Sequence, residues 1–105
     1  MPARLVNSTH LNTLLEQSAC GESERLSLRS AIETWLPNAN SPGLNGRLAR
    51  PPLAQEIPAD DPRFLAFESP DPDFHWALLF SMEGTDVKIW TLHKVPTVMV
   101  FPHSA

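Results

Sequence analysis

Two stretches near the C-terminal end of the chain alternate large apolar side chains with smaller or more polar ones. The alternation runs through residues 74–82 and again through residues 87–94. A period of two is typical of β-strands with one well-buried face. Between the stretches lies Glu83-Gly84-Thr85-Asp86, whose glycine can adopt a positive φ at little cost. We therefore predict a tight antiparallel hairpin.

The positions of the lysines favour one register for this hairpin, with Met82 opposite Val87. A slip by one residue would exchange the faces of one strand and place Lys88 and Lys94 on the most apolar face. In the favoured register, the first face bears Phe74, Trp76, Leu78, Phe80, Val87 and Ile89. The second face then bears His75, Ala77, Leu79, Ser81, Lys88, Trp90, Leu92 and Lys94.

The remaining patterns complete an α+β layout. Apolar residues at helical spacing predict amphipathic helices at about 9–20 and 24–36. Short strands are predicted at about 64–68 and 97–101, the latter because TVMVF is apolar on both parities. The expected architecture is one domain over residues 1–105, a two-layer sandwich with two N-terminal helices packed on one face of a four-stranded antiparallel sheet.

A long proline-rich connector, residues 37–63, joins the helices to the sheet. It has no helical or strand period, and it contains Pro42, Pro51, Pro52, Pro58 and Pro62. Loops of this length in compact domains are either structural covers or functional segments. Our main interpretation is a strap that covers part of the sheet, with a binding loop as the alternative.

Composition narrows the functional classes. The net charge of −4 argues against broad binding to the phosphate backbone of nucleic acids. Cys20 is the only cysteine, so a reducing compartment is expected. The N-terminus lacks the apolar core of a signal peptide, and no window resembles a membrane span. A cytoplasmic protein is the resulting prediction.

No motif for phosphate binding, hydrolysis or zinc coordination is present, so we predict neither catalytic residues nor a cofactor. Oxygen ligands and an imidazole do occur close together, at Glu68, Asp71, Asp73 and His75. Such a set could hold a divalent metal or a small molecule. Its spacing does not match an EF-hand loop, and two prolines limit how the carboxylates can converge, so solvated turn residues are the plainer interpretation.

The second face of the hairpin is the principal candidate site. Its basic, aromatic and aliphatic residues are His75, Leu79, Lys88, Trp90, Leu92 and Lys94. If the helices cover the first face, this surface is open to a partner protein or to a second copy of the chain, unless the strap covers it. A further alternative is single-stranded nucleic acid, with Trp90 stacking on a base and Lys88 and Lys94 contacting phosphates.

The function predicted from the sequence is a small, non-enzymatic protein-binding module. Small single-domain chains without catalytic motifs are often inhibitors, immunity proteins, antitoxins or adaptors, including those encoded by phages and mobile elements. A homodimer is one form that this binding could take.

Overall fold

The structure, a computed structural model, describes residues 3–18, 20–41, 46–48 and 62–100. Within them the protein has the predicted α+β fold, with three α-helices and one five-stranded sheet in the order β1-β5-β4-β3-β2. The elements are β1 (Arg4–Leu5), α1 (Ser8–Gln17), α2 (Glu22–Trp35), a 3-10 turn (Leu36–Asn38), β2 (Arg47–Leu48), β3 (Arg63–Glu68), β4 (Phe74–Glu83), β5 (Asp86–Pro96) and α3 (Thr97–Val100).

The central hairpin, β4 and β5, begins in the predicted register, with Met82 opposite Val87. Gly84 and Thr85 form its two-residue turn. Gly84 has a φ of +63°, which glycine adopts without a steric penalty at the first central position of such a turn. The register expected from the position of Lys88 is therefore confirmed at this end of the hairpin.

Both long helices bury their apolar stripes against the first face of the sheet. The main core contains Leu11, Leu15, Leu28, Ile32, Trp35, Trp76, Leu78, Phe80, Val87 and Ile89. The ring of Trp35 meets that of Phe80 edge-on at a centroid distance of 5.0 Å. Each fully buried Leu, Ile or Phe contributes about 1.5–3 kcal/mol to stability, so this cluster anchors the helix layer to the sheet.

The predicted strand at 97–101 is wrong for the residues that the structure describes, because Thr97–Val100 is the short helix α3. Pro96 has no amide hydrogen to continue the ladder. The Thr97 amide instead donates to Asp73 O (2.8 Å), and the Thr97 hydroxyl donates to Pro72 O (2.9 Å). These two hydrogen bonds hold the chain, just after the end of β5, against the turn that precedes β4. Phe101 lies outside the described residues.

The sheet is mixed and has two short strands that the sequence did not indicate. β1 pairs with β5 in parallel, and β2 pairs with β3 in antiparallel fashion. The parallel pairing includes the bond from the Val6 amide to Val87 O (3.0 Å). The predicted all-antiparallel, four-stranded sheet is therefore corrected to a five-stranded mixed sheet within the described ranges.

Most of the predicted connector, residues 37–63, lies outside the described residues. The prediction that it covers part of the sheet also concerns those residues. Its described parts include β2 and Gly46, whose carbonyl oxygen accepts a hydrogen bond from Arg63 Nη1 (3.2 Å). None of the helices in the described ranges has the length and apolarity needed to cross a bilayer.

Candidate functional site at the Trp90 bulge

A β-bulge at Trp90 interrupts the central hairpin. Phe80 pairs with Ile89, but the preceding residue of β4, Leu79, pairs with Thr91. Trp90 is thus the extra residue of β5 and has no opposite partner on β4. A bulge of this kind adds one residue to one strand, so the alternation of faces is reversed beyond it.

The reversal moves two predicted site residues to the first face. Leu92 lies opposite Leu78 and is buried in the main core, with 8% of its surface exposed. Lys94 lies opposite Trp76 and extends toward α2. The prediction that Leu92 and Lys94 share the second face with Trp90 is therefore wrong, because a strict period of two does not hold across the bulge.

Lys94 belongs to a polar cluster that joins the sheet to α2. Its ammonium lies 3.1 Å from Glu24 Oε2, and the same oxygen accepts a hydrogen bond from Trp76 Nε1–H (2.7 Å). The ammonium is also 5.7 Å from the centroid of the Trp76 ring. The Glu24 side chain is only 16% exposed, so this carboxylate satisfies a buried indole and a lysine together. Lys94 is engaged within the fold.

The apolar half of the second face is buried. A second cluster contains Phe64, Ala77, Leu79 and Val95, all exposed by 9% or less. Leu79 itself has no exposed surface. Its predicted place on the second face is confirmed, but it is a core side chain and not an open contact position.

Trp90 remains half-buried on the other half of the second face. Its Nε1–H donates to Ser81 Oγ (2.9 Å), and Lys88 Nζ lies 4.5 Å from the centroid of its ring. Ser81 and Lys88 are directly opposite each other on β4 and β5. We call Ser81, Lys88 and Trp90 the Trp90 surface. The exposed ion pair between Arg4 Nε and Asp86 Oδ1 (3.1 Å) adjoins it, two residues from Lys88.

His75 lies away from this surface, near the start of β4. Its Nδ1 is 2.8 Å from Thr97 Oγ1. Because the Thr97 hydroxyl hydrogen is donated to Pro72 O, His75 Nδ1 must be the donor in this contact. His75 therefore helps to fix the junction between β5 and α3 and is separated from Trp90.

In the acidic turn, the Asp71 carboxylate is engaged by the backbone. Asp71 Oδ1 accepts the Asp73 amide (3.0 Å), as in an ordinary Asx turn. Within the described part of the chain, no group of three or more His, Cys, Asp or Glu side chains is placed to hold a metal ion. Glu68 and His75 instead line a shallow cleft of about 280 Å³, together with Ser69, Pro70 and Pro72.

The structure also reveals an exposed apolar group that the sequence analysis missed. Phe74 is 37% exposed at the start of β4, and Val98 and Met99 on α3 are 69% and 37% exposed. The sequence pattern predicts a covered strand for Val98 and Met99 and a place on the buried first face for Phe74, and both expectations are corrected by these exposures. The turn of helix after Pro96 is what leaves Val98 in solvent.

Comparisons with known proteins supply no relative from which a function could be transferred. The chain matches no protein-family model, no curated protein and no solved structure.

Proposed function

We propose that the protein is a non-enzymatic protein-binding module with a two-layer arrangement, in which the helices cover the first face and the Trp90 surface contacts the partner. The observation that supports this most is the state of the indole. It is held by a hydrogen bond from its Nε1–H to Ser81 Oγ and by the nearby Lys88 ammonium, yet it is only half-buried.

An aromatic side chain in this state suits recognition for two reasons. Tryptophan is the residue type most enriched among those that dominate binding energy at interfaces. A side chain that is already fixed also loses less conformational entropy when a partner covers it. The neighbouring Lys88 side chain is exposed and adds a positive charge at the rim, which favours a partner with an acidic group there.

The proposed class is the one predicted from the sequence: an inhibitor, immunity protein, antitoxin or adaptor. We place it in the cytoplasm, because a chain whose single cysteine is Cys20 forms no internal disulfide and so fits a reducing compartment. Homodimerisation through the same surface is the second form of this proposal. The nucleic-acid alternative loses support because Lys94 is paired with Glu24 on the opposite face. The metal alternative is not favoured by any contact in the acidic turn.

The test compares variants of the tagged protein in affinity capture from host lysate, read by mass spectrometry, with light scattering on each purified variant. Lys88→Glu reverses an exposed charge and Trp90→Ala removes the indole. Leu26→Ala is the matched control, because Leu26 is 58% exposed on α2 and belongs to the helix layer.

We expect the unchanged protein either to capture a set of host proteins or to form a dimer. Leu26→Ala should keep this binding, and both Lys88→Glu and Trp90→Ala should lose it. Thermal unfolding of Lys88→Glu should differ little from that of the unchanged protein, because loss of the contact between the Lys88 ammonium and the Trp90 ring costs about 0.5–1 kcal/mol at an exposed site. Capture and mass that are identical in all four proteins would contradict the proposal.

A further inference from the structure

The segment from Asn7 to His10, which opens α1, lies against the outer edge of β5 at the bulge. Asn7 is the N-cap residue of α1, but its side chain makes no capping hydrogen bond. Its amide instead pairs with the backbone of Ile89: Asn7 Nδ2 donates to Ile89 O (2.7 Å), and the Ile89 amide donates to Asn7 Oδ1 (2.9 Å). The side chain thus continues the pairing that β1 begins along β5.

The next contact involves the bulge residue itself. His10 Nε2 lies 2.9 Å from Trp90 O. A carbonyl oxygen can only accept, so His10 Nε2 bears the hydrogen and donates it. The His10 side chain therefore satisfies the backbone acceptor of the residue that has no partner on β4.

The carbonyl groups of Ile89 and Trp90 both point to the outer edge of β5, and this shows how the bulge is held. In a regular strand, successive carbonyl groups point to opposite edges, so only one of Ile89 O and Trp90 O should face outward. Both accept hydrogen bonds from the same N-terminal segment, one from Asn7 and one from His10. The bulge turns the Trp90 carbonyl away from β4, and its donor at this exposed edge is the His10 ring. The bond is made in the bulged strand and not in a regular ladder, so it favours the bulge.

We propose that Asn7 and His10 are positioning residues that hold the bulge and thereby fix the orientation of the Trp90 indole. The Trp90 surface is then formed only when the Asn7–His10 segment is docked on β5. The role of the indole as the contact for a partner rests on the proposed function. The orientation of the indole does not, because it is a property of the free protein.

The structure also predicts that the effect is local. Removing the bulge completely would shift Leu92 out of the core, where 92% of its surface is buried, and this opposes a change of register along the whole strand. Loss of Asn7 or His10 should therefore loosen residues 89–91 while the rest of the hairpin persists.

Heteronuclear NMR of the free protein tests the inference, with Asn7→Ala, His10→Ala and the conservative variant His10→Gln, whose amide can still donate. Thr9→Ala is the matched control, since Thr9 is an exposed residue of the same turn. The observables are the exchange rate of the Ile89 amide and the resonances of the three indole N–H groups, each assigned by substitution.

In Asn7→Ala we expect exchange of the Ile89 amide to become faster by about tenfold or more, because its acceptor is removed. In His10→Ala the Trp90 indole resonance should move, and His10→Gln should restore it. The resonances of the Trp35 and Trp76 indoles should not move. A general loss of stability would instead affect all three indoles. An unchanged Ile89 amide and an unchanged Trp90 indole would overturn the inference, whether or not a partner is found for Trp90.

Discussion

Replacement of Glu24 by alanine should destabilise the protein far more than its place on a surface helix suggests. The substitution removes the acceptor of the Trp76 indole N–H, and Trp76 is only 3% exposed. A buried donor left without an acceptor costs about 1–3 kcal/mol. The ion pair with Lys94 adds roughly 1 kcal/mol or less, because the lysine side chain is 31% exposed and is screened by solvent.

The expected loss for Glu24→Ala is therefore about 1–4 kcal/mol in the free energy of unfolding, centred near 2–3 kcal/mol and measured by urea denaturation at equilibrium. In a domain of this size it corresponds to a decrease in Tm of about 10 °C or more. Glu24→Gln keeps an oxygen acceptor for Trp76 and loses only the charge, so its cost should be about 1 kcal/mol or less.

Glu33→Ala is the matched control, an exposed glutamate on the same helix, and it should change stability by about 0.5 kcal/mol or less. A double-mutant cycle with Trp76→Phe separates the hydrogen bond from the ion pair, since phenylalanine has no indole N–H. The reasoning is refuted if Glu24→Ala and Glu33→Ala are equally stable, or if Glu24→Ala costs the same in the Trp76→Phe background.

Two further substitutions test the buried half of the second face and the approach of β2. Leu79→Ala should reduce the free energy of unfolding by about 2–5 kcal/mol, because the side chain is fully buried; a near-neutral result in chemical denaturation would show that it is exposed. Gly46→Ala should destabilise by about 1 kcal/mol or more, because φ is +75° and a Cβ would lie 2.8 Å from Phe64 O. An unchanged Tm would show that the backbone at Gly46 has another conformation.

The sequence predicted the helices and the turn end of the hairpin because these depend on local patterns. The stripes of α1 and α2 follow the helical period, and Gly84 marks the turn. Lys88 then indicated the register at Met82 and Val87, since a slip would place its charge on the most apolar face. The same reasoning failed for Lys94, which lies on that face and is paired with Glu24. Information of this kind is contained within a few neighbouring residues.

The face of Leu92 and Lys94 could not be obtained by extending the same alternation. One cue was present: the apolar residues Val87, Ile89 and Leu92 are spaced by two and then by three, and a spacing of three interrupts a period of two. The donor to the redirected Trp90 carbonyl is His10, eighty residues earlier in the chain. No local pattern indicates such a contact.

The short elements were unpredictable for another reason. β1 and β2 have two residues each, too few to display a period. The apolar run after Pro96 is compatible with a strand or a helix, and periodicity cannot distinguish the two over four residues. Hydrogen bonds from Thr97 to the preceding turn decide for the helix.

The bulge at Trp90 divides β5, leaving the indole on the second face and turning Leu92 and Lys94 to the helices. Cross-strand backbone NOEs between β4 and β5 measure this pairing. We expect NOEs that pair Leu78 with Leu92 and Trp76 with Lys94. NOEs that instead pair Leu78 with Thr91 and Ala77 with Leu92 would show an uninterrupted ladder and contradict this pairing.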